Sequence, residues 1–361
     1  MEHDPTLPPD LCPKGRGATS NAAGRFEAHT VAYAEDGPGP EAEGQVLRTR
    51  VSEERAGRVI SYNRSPDLPF DRSINPYRGC EHGCVYCFAR PTHAWLGLSP
   101  GLDFETRLIA RPDAPARLDA ELRARGYKVA PIAIGTNTDP YQPIERQYRI
   151  TRACLGVLDR FNHPVAVVTK GALIEEDLDL LAGMAARGLA KVGVSITTLD
   201  ATLARRLEPR APSPARRLEV IRRLSAVGVP VRLMVSPVVP GLTDTEIEAI
   251  LAAGQDAGAE AASWIMLRLP REVSALFQDW LAAHYPARAG RVMNRLREMH
   301  GGRDYAADWH HRMRGQGVHA RMIARRFDLA ARRLGLDAAQ PALRCDLFEV
   351  PLARGAQMAL F

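Results

Sequence analysis

Six short β-branched runs separated by helical stretches constrain this chain most: SINPY (73–77), APIAIG (130–135), PVAVVTK (164–170), AKVGVSI (190–196), VPVRLMV (229–235) and AASWIML (261–267). Strands this apolar are buried on both faces, and their alternation with helices lays them side by side in a parallel sheet. Six units are too few to close an eight-fold barrel. The expectation is therefore an α/β fold built as an open, partial (β/α)6 barrel, with a doubly wound sheet as the second solution. In either, function gathers at the C-terminal ends of the strands. Several helix ends are legible. Ser213 caps a helix with Pro214 in its first position, Gly228 lies past its end, and Leu218, Ile221 and Leu224 share one face. Thr243 and Glu246 read as a capping box before Ile247, Ile250 and Leu251.

Outside this rhythm the chain divides into extensions. Residues 1–60 read as a poorly ordered N-terminal extension, because DGPGPEAEGQ (36–45) is acidic, rich in Gly and Pro, and without apolar periodicity. Residues 61–270 form the barrel core. Residues 271–361 read as a helical extension. Its clearest helix spans 317–334, with Val318, Met322, Ile323 and Phe327 on one face and Gly335 at its end. Between Arg291 and Arg333 stand 11 arginines and 4 acidic residues, a local +7 in a chain of net charge +6. Such a segment is either a solvated basic helix face or a surface for an anionic partner such as nucleic acid. The four lysines, Lys14, Lys128, Lys170 and Lys191, are few enough that each invites inspection.

No apolar run is long enough to span a membrane, and the polar, Pro-rich N-terminus lacks a signal-peptide core, so a cytoplasmic location is expected. Cysteines that cluster in a reducing compartment are metal ligands more often than disulfides. Three of the six cysteines, Cys80, Cys84 and Cys87, fall within NPYRGCEHGCVYCFARPTHAWLG (75–97). Thiolates so closely spaced converge on one compact iron–sulfur cluster. Four irons need four ligands, and the nearest other cysteine, Cys154, lies 67 positions after Cys87. One iron is then left open to a small molecule, as in a reactive rather than a structural site. The competing reading is structural zinc, with His82 or His93 completing the set.

CEHGCVYC, with Tyr86 as its aromatic, resembles the CxxxCx(aromatic)C signature of the radical S-adenosylmethionine superfamily. INPYRGCEHGCVYCFAR resembles its spore photoproduct lyase-like subgroup, and the likeness runs from about residue 57 to 270. The resemblance implies a partial (β/α)6 barrel, a [4Fe–4S] cluster on Cys80, Cys84 and Cys87, and S-adenosyl-L-methionine bound to the open iron. It also implies reductive cleavage to a 5′-deoxyadenosyl radical that removes hydrogen from a substrate, and a flavodoxin- or ferredoxin-like electron donor. For the cosubstrate it points to Thr138, Asp139, Lys170 and Ser195 at successive strand ends. Tyr86 and Phe88 would face the adenine, with Ser236 beside it. Glu208 and Arg210, in LEPRAPSPARR after the fourth strand, are weaker candidates for the same site, and a surface ion pair is the favoured reading of them. The subgroup's lyase has a hydrogen-donating cysteine at the position of Thr136, and a threonine hydroxyl does not serve as such a donor. The resemblance therefore leaves the substrate open and assigns no catalytic side chain. Two other readings stand beside the radical enzyme: a photoproduct-type DNA repair lyase, and a non-catalytic, metal-stabilised nucleic-acid-binding protein.

Overall fold

The computed structural model describes residues 15–26 and 47–352. Its strands are β1 (Arg50–Glu53), β2 (Ser61–Tyr62), β3 (Arg72–Ile74), β4 (Tyr77–Arg78), β5 (Arg107–Ala110), β6 (Ile132–Ile134), β7 (Val165–Thr169), β8 (Ala190–Ser195), β9 (Val231–Val238) and β10 (Ala261–Met266). Its helices are α1 (Asp103–Thr106), α2 (Ala114–Leu122), α3 (Glu145–Tyr148), α4 (Ile150–Arg160), α5 (Leu178–Ala186), α6 (Ala201–Leu207), α7 (Pro214–Ala226), α8 (Ile247–Asp256), α9 (Glu272–His284), α10 (Pro286–Met299) and α11 (Gly317–Arg333).

Each of the six expected runs overlaps a strand of one sheet, ordered β10-β9-β8-β7-β6-β3-β2. The pairings from β3 to β10 are all parallel, and β2 adds an antiparallel edge. Sequential strands are neighbours throughout, which fits a partial barrel and not a doubly wound sheet. The two edges, β10 and β2, do not pair, so the barrel is open. Ile132 and Ile134 of β6, Val165 and Val167 of β7 and Val192 and Val194 of β8 are all buried. Each such side chain contributes about 1.5–3 kcal/mol on leaving water. Cys154 on α4 is packed in the same core.

A second core of Phe277, Trp280 and Leu281 from α9 and Val292 and Leu296 from α10 packs beneath Val85 and Tyr86 of the cysteine loop. The C-terminal extension also covers the β10 edge, with the Ala262 amide donating to the Leu336 carbonyl (2.9 Å) and the Met266 amide to the Met313 carbonyl (2.8 Å). An uncovered edge would offer these amides to another chain.

Three local expectations are corrected. The poorly ordered extension, expected to reach residue 60, is packed where it is described. β1 pairs with β5, and the Gly17 and Ala18 amides each donate to the buried Glu105 carboxylate (2.9 Å). The segment 36–45 lies outside the described residues. Glu246 forms no capping box, because its carboxylate accepts from the Thr198 hydroxyl (2.6 Å) and the Leu199 amide (2.7 Å). On α11 the buried face is Ala320, Ile323, Phe327, Ala330 and Ala331, while Val318 (66 %) and Met322 (45 %) are exposed. Ser213 does cap α7, accepting from the Arg216 amide (3.3 Å).

Candidate functional site

β4 feeds directly into the cysteine loop at the C-terminal end of the sheet. The Cys80 amide donates to the Phe104 carbonyl (2.9 Å) and anchors the loop's start. Gln142 clasps the same corner, accepting from the Glu81 amide (2.9 Å) and donating to the Gly79 carbonyl (3.2 Å). The far side rests on Arg90, which is fully buried. Its guanidinium donates to the carbonyls of Cys84 (2.9 Å), Gly101 (2.9 Å), Pro100 (3.0 Å) and Gly83 (3.3 Å) and forms an ion pair with Glu105. Glu105 in turn holds Gly17 and Ala18, so one buried ion pair ties together the loop, α1 and the N-terminal segment.

Cys80 and Cys84 are buried, Cys87 is partly exposed, and all three are free. Burial pushes each thiol up, Cys84 to about 12, and neighbouring thiols add to the effect at Cys80 and Cys84. Buried thiols deprotonate readily only when a metal takes the charge. Among the described residues, no group of three His, Cys, Asp or Glu side chains is set at the spacing that would hold a single metal ion. The alternative zinc ligands have other partners: His93 Nε2 bonds the Arg107 carbonyl (2.9 Å), and His82 Nδ1 faces Asp139 (3.3 Å).

A cavity opens beside Cys84 and Cys87, and its wall includes Tyr86, Phe88, Thr136, Lys170, Ser195 and Ser236. The Ser236 hydroxyl is buried there without a hydrogen-bond partner. Lys170 sits 5.8 Å from the centre of the Tyr86 ring. Burial opposes charge on Lys170, but Cys84 and Glu208 outweigh it and hold the ammonium above the ordinary lysine range.

Cys80, Thr138 and Asp139 are not on this wall. The Thr138 hydroxyl donates to the Tyr77 carbonyl (3.0 Å) and steadies the end of β4. Asp139 accepts from the Thr169 hydroxyl (2.6 Å), the Lys170 amide (2.7 Å) and the Tyr141 amide (2.9 Å). Burial would raise its pKa, but His82 and these donors outweigh that and bring it to about 2.

Glu208 and Arg210 are not a surface ion pair. Glu208 is 2 % exposed. Its carboxylate pairs with Arg217 and accepts from the Tyr86 hydroxyl and the Thr197 hydroxyl (2.7 Å). Burial opposes its ionisation, but Arg217 and Lys170 prevail and bring it to about 2. Arg210 instead reaches Glu81 of the cysteine loop (3.2 Å). Sequence reasoning missed Arg90, Glu105, Gln142 and Arg217. Their roles depend on partners brought together by the fold, and no spacing along the chain marks them.

The sequence profile of the radical SAM superfamily matches residues 74–253, a span that opens on β3 and contains the whole cysteine loop. This chain belongs to the radical SAM superfamily. Its relatives include an uncharacterized protein of Mycobacterium tuberculosis, 37 % identical over 64 % of this chain and 68 % of that one. Another is an uncharacterized protein of Methanocaldococcus jannaschii, 27 % identical over 48 % of this chain and 62 % of that one. Among solved structures, spore photoproduct lyase complexed with dinucleoside spore photoproduct superposes with a TM-score of 0.58 at 14 % identity, covering 79 % of each chain. A point mutant of that lyase gives a TM-score of 0.57 at 15 % identity, covering 79 % of this chain and 78 % of the other. At that identity the likeness establishes the radical SAM partial-barrel fold.

The residues present fit the groups that a radical SAM enzyme uses. Three free thiols in one loop, two buried and one partly exposed, match an iron–sulfur donor set. The unpartnered Ser236 hydroxyl and the Lys170 ammonium are free to meet a polar cosubstrate beside them.

Proposed function

We propose that Cys80, Cys84 and Cys87 hold a [4Fe–4S] cluster and that S-adenosylmethionine binds beside it in the cavity. When bound, the two groups supply a 5′-deoxyadenosyl radical that takes a hydrogen atom from a substrate. The observation that carries this reading is the meeting of Cys84 and Cys87 with Lys170, Ser195 and Ser236 on one cavity wall. Lys170 offers a cation to the cosubstrate carboxylate, with Glu208 as its counter-charge. Ser195 and Ser236 offer hydroxyls, and Tyr86 and Phe88 offer apolar surface for the adenine. Thr138 and Asp139 act one step back: they fix the ends of β4 and β7, from which the loop and Lys170 project. An external one-electron donor of the flavodoxin or ferredoxin kind is part of this proposal.

Photoproduct-type repair is the less favoured reading. Thr136 stands on the cavity wall with a hydroxyl and no thiol. In the basic segment Arg297, Arg312 and Arg326 are paired with Asp304, Asp67 and Glu248, which lowers the charge left for a nucleic acid. The test is Cys84→Ala, purified and reconstituted without oxygen. Iron content and 5′-deoxyadenosine should both fall to background. Wild-type iron content with undiminished deoxyadenosine would refute the assignment.

A further inference from the structure

Arginines are numerous in this protein, and the fully buried ones have carboxylate partners: Arg90 pairs with Glu105, and Arg217 with Glu208. Arg268 differs. It stands two residues beyond β10, at the C-terminal end of the sixth parallel strand, on the wall of the cavity beside the cysteine loop. Its guanidinium carbon stands over the Phe88 ring, 4.2 Å from the centroid, and its side chain hydrogen-bonds Tyr305. Among the described residues no carboxylate pairs with it. Arg312, close enough to add to the positive potential, is itself matched by Asp67.

Arg268 is partly buried, and a guanidinium partly withdrawn from water without an acid partner favours an anion that completes it. Beside the polar groups already described, the wall carries the apolar side chains of Leu68, Phe70, Met234, Ile265, Met266 and Met313. The other cation there, Lys170, already has Glu208 as counter-charge. We infer that Arg268 anchors the substrate, and that the substrate is an acid: an apolar body bearing a carboxylate or phosphate that the planar guanidinium grips. The guanidinium fork suits both oxyanions. This inference rests on the cavity being the active site of the radical reaction proposed above.

Three probes test it: 2-naphthoate, 2-naphthyl phosphate and the neutral 2-naphthamide. Each is offered by anaerobic equilibrium dialysis to the reconstituted, unreduced protein saturated with S-adenosylmethionine. Wild type should bind at least one acid about tenfold more tightly than the amide, as expected for a charge-assisted pair. The stronger acid tells carboxylate from phosphate. Arg268→Gln should abolish the preference and still bind the amide. If that variant fails to bind the amide, the result is read from Arg268→Lys, which keeps the charge but not the fork and should retain only part of the preference. Equal binding of all three probes by wild type would overturn the anchor, and so would a preference that survives Arg268→Gln. A loss of S-adenosylmethionine binding in Arg268→Gln would assign Arg268 to the cosubstrate instead. Deoxyadenosine formation by reduced wild type is measured separately. Its presence without acid preference removes the anchor and leaves the radical reaction standing; its absence alongside acid preference does the reverse.

Discussion

Glu208 carries three obligations at once: it balances Arg217, gives Lys170 a counter-charge, and holds the Tyr86 hydroxyl behind the cysteine loop. Breaking a buried ion pair by removing one charge costs about 3–5 kcal/mol. Glu208→Gln should lower unfolding stability by that order, measurable by denaturant titration of the anaerobic protein. A loss below about 1 kcal/mol would contradict the geometry. His163 supports a second residue-scale prediction. Its Nδ1 bonds the Pro164 carbonyl (2.9 Å) and its Nε2 the Tyr127 hydroxyl (2.8 Å), which satisfies the neutral ring. Burial lowers its pKa to about 4. The unfolded chain therefore binds a proton below about pH 6.5 that the folded chain refuses until about pH 4. The stability from the neutral ring is present above pH 6.5 and is lost as pH falls towards 4. His163→Gln should flatten the dependence of the melting temperature on pH in that window. The resemblance pointed to Lys170, Ser195, Thr138 and Asp139 together. Lys170 and Ser195 line the cavity, whereas Thr138 and Asp139 are held by partners that no spacing along the chain reveals.

At the scale of elements, the six strands were legible because a buried parallel strand must be apolar along its length. The N-terminal segment was not, because GRGATSNAAGRFE has no apolar period. It is held by the Glu105 carboxylate and by close backbone approach. A Cβ at Gly17 would lie 1.7 Å from the Gly83 carbonyl oxygen, inside the cysteine loop. Gly17→Ala should therefore lift residues 15–26 off the loop and leave the barrel intact. Limited trypsin digestion would show it as faster cleavage at Arg16 and Arg25 with unchanged digestion of the core. Equal cleavage of variant and wild type would show that the contact is not needed. α11 illustrates the other difficulty: its helix and its end were readable, but which flank faces the body was decided by α8 and β10, not by its own pattern.

At the scale of the molecule, the loop after β2 and the C-terminal extension are bridged beside the cavity. Asp67, in the loop after β2, accepts from Arg312 (2.6 Å) and from the His310 amide (2.7 Å), and Arg312 also reaches Ser65 (2.6 Å). These contacts bring Leu68 and Phe70 to the same cavity as Met313. The cavity therefore has a floor of strand ends, a wall formed by the cysteine loop, and a flank built from the loop after β2 and the C-terminal extension. The partial barrel could be inferred from the strand count. The closing of its flank could not, since it joins residues more than 240 positions apart.

The central claim is that a redox-active cluster on Cys80, Cys84 and Cys87 meets S-adenosylmethionine directly. Electron paramagnetic resonance of the reduced, reconstituted protein with and without S-adenosylmethionine tests this without knowledge of the substrate. The account predicts a [4Fe–4S] signal that changes when the cosubstrate is added. A protein that takes up no cluster, or one whose signal is indifferent to S-adenosylmethionine, would contradict it.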